Sequence, residues 1–237
     1  GTPDGMHWYN GYYDDHGRRV EGVMQQADVP GAQSEAAVRM MLTSQVFAIM
    51  SGTATDEQVQ EIIQSADCYL YDEKIGGYRL NTNFHEIKTD MGRMFGFAYG
   101  HKENGAVFCH MAVMYANALY QRGFVQEGYR VIRALFRQCM DFSTSRIYPG
   151  IPEYFNARGR GMYHYLTGAA SWLMTTVLNE NFGVKGVYGD LLLEPKLVAQ
   201  QFDDAGDARV SCRFGGKAIE VCYRNPGKKE YGEYRIR

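Results

Sequence analysis

Two short stretches of this 237-residue chain carry residue types that could bind a sugar and an anion. In residues 95–120 (FGFAYGHKENGAVFCHMAVMYANALY), Gly100 and Gly105 bracket Lys102, Glu103 and Asn104, and an apolar stretch carrying His110 follows. Such a triplet can hydrogen-bond adjacent sugar hydroxyls from several directions. It can equally be a solvated helix start whose Glu103 favours the helix dipole. His110 shares the inward stripe of Val107, Met111 and Met114, as a satisfied core residue or as a donor to an oxyanion or phosphate. In residues 147–173 (IYPGIPEYFNARGRGMYHYLTGAASWL), Thr167 stands at a helix cap and Gly168 lets a ligand approach the backbone. Free N–H groups and the positive helix end there suit an anion, with a plain cap as the bland alternative. Glu153, pinned after Pro152 and beside Tyr154, either binds a hydroxyl or caps a turn. The two loop-to-helix joints are expected to face each other across one pocket that takes a sugar and an anion.

Other candidates are weaker. Asp14 and Asp15 form a close carboxylate pair, which a glycosidase could use as a general acid, but YDDHG also reads as a turn. His85-Glu86 lacks the second histidine of a zincin, and neither His101 with His110 nor any cysteine pair has ligand spacing, so no metal site is expected. No nucleophile elbow, P-loop or dinucleotide fingerprint is present. The net charge of -2, with both signs interspersed, gives no electrostatic case for nucleic acid or an anionic membrane. No apolar run approaches the roughly 18 residues of a membrane span, and no signal peptide opens the chain. Five cysteines in apolar contexts read as buried free thiols in a reducing cytosol. Tyrosine-rich loops suit carbohydrate, because a ring face packs on the apolar face of a sugar, and they also suit an ordinary core.

The elements that would position these residues are mostly helical in pattern. Helices are expected over 34–51, from a Thr55–Gln58 capping box to about Tyr71, over 106–122, over 125–140, and over 168–182 with Gly183 as the stop. Residues 1–33 and 75–97 read as irregular. After Gly183 the period turns to alternation, and residues 187–195, 208–214 and 217–226 read as strands with Gly215-Gly216 as a hairpin turn. Short gaps within helix pairs and long polar-aromatic loops between pairs suit antiparallel hairpins side by side, with functional loops at one end.

The segments HKENGAVFCH, IYPGIPEYF and GRGMYHYLTGAASWL, with SQVFAIMSG and GDLLLEPKL, resemble the C-terminal part of the inverting phosphorylases of glycoside hydrolase family 94. The resemblance covers residues 8–226. It implies a mainly α fold, part of an (α/α)6 toroid of helical hairpins (residues 1–184), followed by a small C-terminal β-sandwich-like segment (185–237). It also implies a reaction without cofactor in which inorganic phosphate, as co-substrate, attacks the anomeric carbon of a β-glucan oligosaccharide and releases α-glucose 1-phosphate. By the family pattern His110, Thr167 and Gly168 hold phosphate, Lys102 and Glu103 contact sugar, and Glu153 lies near the sugar subsites. Residues 146–173 are nearest in wording to the β-1,2-glucan enzymes. A cellobiose or laminaribiose preference and a non-catalytic carbohydrate-binding or assembly fragment are the alternatives. The family's catalytic aspartate sits in a DWND-type motif upstream of the segment matching residues 8–22, and this chain has no such motif. Neither Asp14 nor Asp15 falls on it. The general acid is therefore expected upstream of Gly1, in a remaining N-terminal part of the same enzyme that would be this chain's partner. A cytoplasmic location is expected, and a homodimer is left open.

Overall fold

The computed structural model describes residues 2, 5–24, 37–148, 150–165 and 167–235. Strand β1 (Gly22–Met24) pairs antiparallel with β2 (Ala37–Arg39), and helix α1 (Leu42–Met50) follows. Of the helix expected over 34–51, residues 34–36 lie outside the described residues and 37–41 are extended. Tertiary hydrogen bonds override the local helical pattern there. Thr82 N donates to Met40 O at 3.0 Å, Met40 N donates to Thr82 Oγ1 at 3.0 Å, and Leu42 N donates to Leu80 O at 2.8 Å. The α1 start has no side-chain cap of its own. Instead the buried Glu21 carboxylate accepts from Met41 N at 2.8 Å and from the Ser44 hydroxyl.

Helix α2 (Asp56–Tyr69) opens on the expected capping box, with Gln58 N donating to Thr55 Oγ1 at 3.3 Å and Thr55 N to Gln58 Oε1 at 2.9 Å. A small hairpin, β3 (Tyr71–Asp72) with β4 (Gly77–Tyr78), leads through a long connection to β5 (Val107–Phe108). Helix α3 (Cys109–Gln121) comes next, then α4 (Val125–Met140) over the expected residues, and a short α5 (Phe142–Ser145). Strands β6 (Tyr154–Phe155) and β7 (Gly161–Met162) join β5 in a three-stranded antiparallel sheet of order β5-β6-β7. Helix α6 (Gly168–Thr175) continues as a π-helical turn, Thr176–Asn181.

Hairpin β8 (Val184–Val187) with β9 (Asp190–Leu193) and hairpin β10 (Asp207–Phe214) with β11 (Lys217–Arg224) complete the elements. The single strand expected over 187–195 is thus a hairpin turning at Tyr188-Gly189, both at positive φ (51° and 94°). Gly215-Gly216 does turn β10 into β11, also with both φ positive, 55° and 79°.

The expectation of a mainly α chain is corrected. The structure is 35% helix and 21% strand, with six α-helices and five small sheets among the described residues. Part of the strand lies after residue 183, where two hairpins pair over four and eight residues. The rest lies in the long loops, whose backbone pairs in ladders of two or three residues, too short to leave a period in sequence.

Helix α3 is the interior element. Residues 112–120 are all buried, and α3 packs against α1, α4 and α6. Side chains such as Leu119 and Val113 each contribute about 1.5–3 kcal/mol on full burial. The π-helical turn widens where α6 meets α3, and the buried Thr176 accepts from Asn117 Nδ2 at 3.1 Å. Residues after 184 pack back onto the same helices: Val198 meets Tyr120 and Val125, and Lys196 Nζ donates to Tyr120 O at 2.6 Å. Cys109 is buried as expected, but Cys68 and Cys222 are exposed; all five thiols are free. No helix among the described residues is long and apolar enough to cross a membrane.

Candidate functional site

The start of α3 is built by the three-stranded sheet. Strand β5 runs directly into the helix, and Cys109 N donates to Glu153 O at 2.9 Å, so the residue preceding β6 satisfies one of the helix's free amides. Glu153 N in turn donates to Met162 O at 3.1 Å and Tyr163 O at 3.2 Å. Phe108 and Tyr154, opposite each other across the sheet, stack with ring planes 1° apart. This scaffold fixes the first turn of α3, and with it His110.

The His110 ring lies directly against the start of α6. A Cβ placed on Gly168 would sit 2.5 Å from His110 Cε1 and 2.7 Å from Nδ1, closer than any side chain tolerates. A side chain at 168 would therefore force the imidazole or the helix start to shift. Thr167 is the N-cap of α6, and its hydroxyl accepts from Ala169 N at 3.2 Å. Among the described residues the Gly168 N–H makes no hydrogen bond. His110 Nε2 is buried and has no hydrogen-bond partner among the described residues, and the centroids of the His110 and Trp172 rings lie 6.2 Å apart. Burial pulls the His110 pKa below the usual imidazole value, against the opposing pull of the Glu153 charge. An imidazole, an unbonded amide and a helix N-terminus thus lie side by side at the start of α6.

The sugar candidates border this corner. The 100–105 loop is tied to the sheet through Ala157 N, which donates to Gly100 O at 2.9 Å. Lys102 adopts a left-handed backbone, φ 47°, and its Nζ lies 4.2 Å from the centroid of the Tyr163 ring and 5.8 Å from that of Phe97. Its pKa is raised, first by the Tyr163 hydroxyl and further by the charges of Glu153 and Glu103. Glu103 pairs with Arg93 through one oxygen, while its Oε2 is buried without a partner. Burial pushes the Glu103 carboxyl up, but Arg93 and Lys102 outweigh it and hold the pKa low. Glu153 Oε2 is likewise buried and unpartnered. Unsatisfied buried acceptors of this kind call for an explanation, and a ligand's hydroxyls are one.

Of the residues singled out in sequence, the structure brings some into direct contact and links others only through charge. His110 touches Gly168, which Thr167 caps, and the field of Glu153 reaches both His110 and Lys102. Asn104 does not join them. Its amide donates to Phe97 O at 2.8 Å and its oxygen accepts from Asn81 at 3.2 Å, so it holds the loop together. Asp14 is also structural: Oδ1 accepts from His16 N and Arg18 N, both at 2.9 Å, and Oδ2 from Arg18 Nε at 2.8 Å. The Arg18 amide, first among these contacts, keeps the Asp14 carboxyl below its usual range. Of the pair His85-Glu86, Glu86 ion-pairs with Arg39 at 2.8 Å.

Sequence reasoning missed Arg93, Trp172 and Tyr163. Trp172 was legible in principle, since it follows Gly168 by one helical turn. The left-handed backbone of Tyr163 (φ 63°) leaves no signature in residue type.

Two clefts lie apart from this corner. One of 620 Å³ runs along α4, where Arg130 and Arg133 are engaged by Asp67 and Gln200. An apolar one of 710 Å³ lies between α4 and α6, lined by Phe136, Met140 and Leu173 among others. Neither these nor three further clefts among the described residues are lined by Lys102, Glu103, His110, Glu153, Thr167 or Gly168, so the shared pocket expected between the two joints is not one of them.

Residues 7–183 match the Glycosyl hydrolase 94 superfamily, catalytic domain. Over 97% of its length the chain is 26% identical to the solabiose phosphorylase of Paenibacillus borealis, covering 29% of that protein. Over 89% of its length it is 25% identical to the cellobionic acid phosphorylase of Neurospora crassa, covering 28% of that protein. Over 88% of its length it is 24% identical to the cyclic β-(1,2)-glucan synthase of Rhizobium meliloti, covering 7% of that protein. The chain spans less than a third of the length of these relatives.

Proposed function

This chain belongs to the glycosyl hydrolase 94 superfamily catalytic-domain family, and from that premise we propose that it is the phosphate- and sugar-contacting portion of an inverting glycoside phosphorylase. An oxygen of inorganic phosphate attacks the anomeric carbon of a β-glucan oligosaccharide. The bond from that carbon to the bridging oxygen breaks, and an aspartic acid in the rest of the enzyme protonates the leaving oxygen. The products are α-glucose 1-phosphate and a chain shorter by one sugar. One carboxylic acid suffices, because phosphate replaces the water and the base that would activate it.

Phosphate near neutral pH carries about -1.5 to -2 charges and needs concentrated donors. His110, the Thr167 hydroxyl and the Gly168 N–H are the proposed set. Lys102, Glu103 and Glu153 are proposed to take sugar hydroxyls. The observation that carries the reading is the contact of the His110 ring with Gly168, which joins an imidazole from one helix to the N-terminus of another. The β-1,2 linkage is the finer part of the proposal. It is supported by the wording of residues 146–173 and by the likeness to a cyclic β-(1,2)-glucan synthase. A catalytic unit over 1–184, a β unit over 185–237 and a cytoplasmic setting belong to the same reading.

The test is incubation of the longer protein with β-1,2-linked gluco-oligosaccharide, with and without phosphate. Glucose 1-phosphate should form only with phosphate. Equal cleavage to free glucose in its absence would reject the proposal, and turnover confined to cellobiose or laminaribiose would reject the linkage alone.

A further inference from the structure

Two of the few non-glycine residues with positive φ touch each other at this corner: Lys102 (φ 47°) and Tyr163 (φ 63°). A left-handed backbone costs a side-chain-bearing residue free energy, and such conformations persist where the surroundings over-determine them. Here the surroundings are visible. Tyr163 O accepts from Glu153 N at 3.2 Å, and its ring packs on Tyr154 (5.9 Å between centroids) and Tyr165 (6.0 Å). The strained turn presents the ring to the Lys102 ammonium, 4.2 Å from the centroid, with Phe97 behind at 5.8 Å. A lysine side chain is otherwise free to sample many rotamers, and an ammonium over an aromatic face is held electrostatically by the ring quadrupole. Tyr163 also lies in the short segment between β7 and the Thr167-Gly168 turn, so one segment serves both halves of the site.

We propose that Tyr163 is a positioning residue: its ring face holds the Lys102 ammonium where it meets the sugar, while the same segment delivers the anion-binding turn. The inference rests on the function proposed above and adds to it the group that orients the sugar-binding lysine. It assigns Tyr163 no contact with the reacting atoms. The Tyr163 hydroxyl also acts on the Lys102 charge, so phenylalanine separates the two: with the ring face as the working part, phenylalanine should replace tyrosine and an aliphatic residue should not.

The test uses the longer protein and the variants Tyr163→Phe and Tyr163→Leu, with two readouts. The first is the NMR signal of Lys102 after isotopic dimethylation of the lysines, assigned with Lys102→Arg. It should be ring-shifted upfield in the parent protein and in Tyr163→Phe, and unshifted in Tyr163→Leu. An unshifted parent signal would overturn the packing. The second is calorimetric affinity for two probes, glucose 1-phosphate and inorganic phosphate. Tyr163→Leu should weaken glucose 1-phosphate about tenfold and inorganic phosphate less than about twofold, whereas Tyr163→Phe should keep both within about twofold. Equal weakening of both probes by Tyr163→Leu would mean a merely structural role. Tyr163→Phe as damaging as Tyr163→Leu would assign the effect to the hydroxyl. Either result overturns the proposal. A ring-shifted Lys102 in a parent protein that binds neither probe would reject the phosphorylase reading, and the positioning role with it, while leaving the packing intact.

Discussion

The two helix starts that meet at this corner are built by opposite means. The first amide of α3 is satisfied by the sheet, through Cys109 N to Glu153 O, and its N-cap residue Phe108 contributes no side-chain bond. Helix α6 has no strand at its start; a single hydroxyl, that of Thr167, caps Ala169, and the Gly168 amide makes no hydrogen bond among the described residues. One start is therefore tied to the sheet at its first amide, and its job is to aim His110. The other leaves only the Gly168 amide unbonded among the described residues, since Thr167 accepts from Ala169, Ala170 and Ser171, and its proposed job is to offer that donor and the positive end of a helix to an anion. The contact of His110 with Gly168 fuses the two into one candidate site. Four predictions would break or sharpen this division of labour.

The largest effect should come from Gly168→Ala. Its Cβ would lie 2.5 Å from His110 Cε1, so either the imidazole or the helix start must move. Misplacement of that order costs about a hundredfold in turnover, which rate measurements with saturating sugar and varied phosphate would show. The same substitution in a His110→Ala background should cost far less, because the clash is gone. Additive losses would mean that the two joints do not act as a unit.

Next comes His110→Ala alone, which should weaken phosphate binding by about 1–3 kcal/mol, the loss expected for a charge-assisted hydrogen bond. Calorimetry with inorganic phosphate reads it directly. Thr167→Val should lower stability by about 1 kcal/mol through loss of the cap and weaken phosphate as well, whereas Thr167→Ser should preserve both. Chemical denaturation separates the two effects.

A smaller effect is a pH slope. Burial lowers the folded-state pKa of His110, so in acid the unfolded chain binds the proton more readily than the folded one. The stability this group contributes is whole above the ordinary imidazole value of 6.5 and is lost as pH falls below it. Denaturation midpoints between pH 7.5 and about 5 should fall less steeply in His110→Gln than in the parent.

How much of this was legible in sequence follows from the same contrast. The α6 joint was readable, because Thr-Gly before an apolar helical run states a cap and a close approach in residue types. The capping box at Thr55 and the glycine pair at 215–216 were readable for the same local reason. The α3 joint was not. Strand β5 is two residues long and pairs with residues almost 50 positions later, so Val107 and Phe108 read as the helix they precede. Residues 37–41 failed likewise, drawn out of a helical pattern by bonds to residues 80 and 82. The triplet 102–104 could not be divided in sequence into two half-buried charges and one buried structural amide. That division depends on Asn81, more than twenty residues away.

The most direct measurement follows the ring protons of His110 by NMR, assigned with His110→Gln, as inorganic phosphate is added. The two-joint account predicts a saturable shift of that ring together with the Gly168 amide, accompanied by a rise in the His110 pKa as a dianion settles beside it. Phosphate that leaves both signals unmoved, or that moves only one of them, would contradict it.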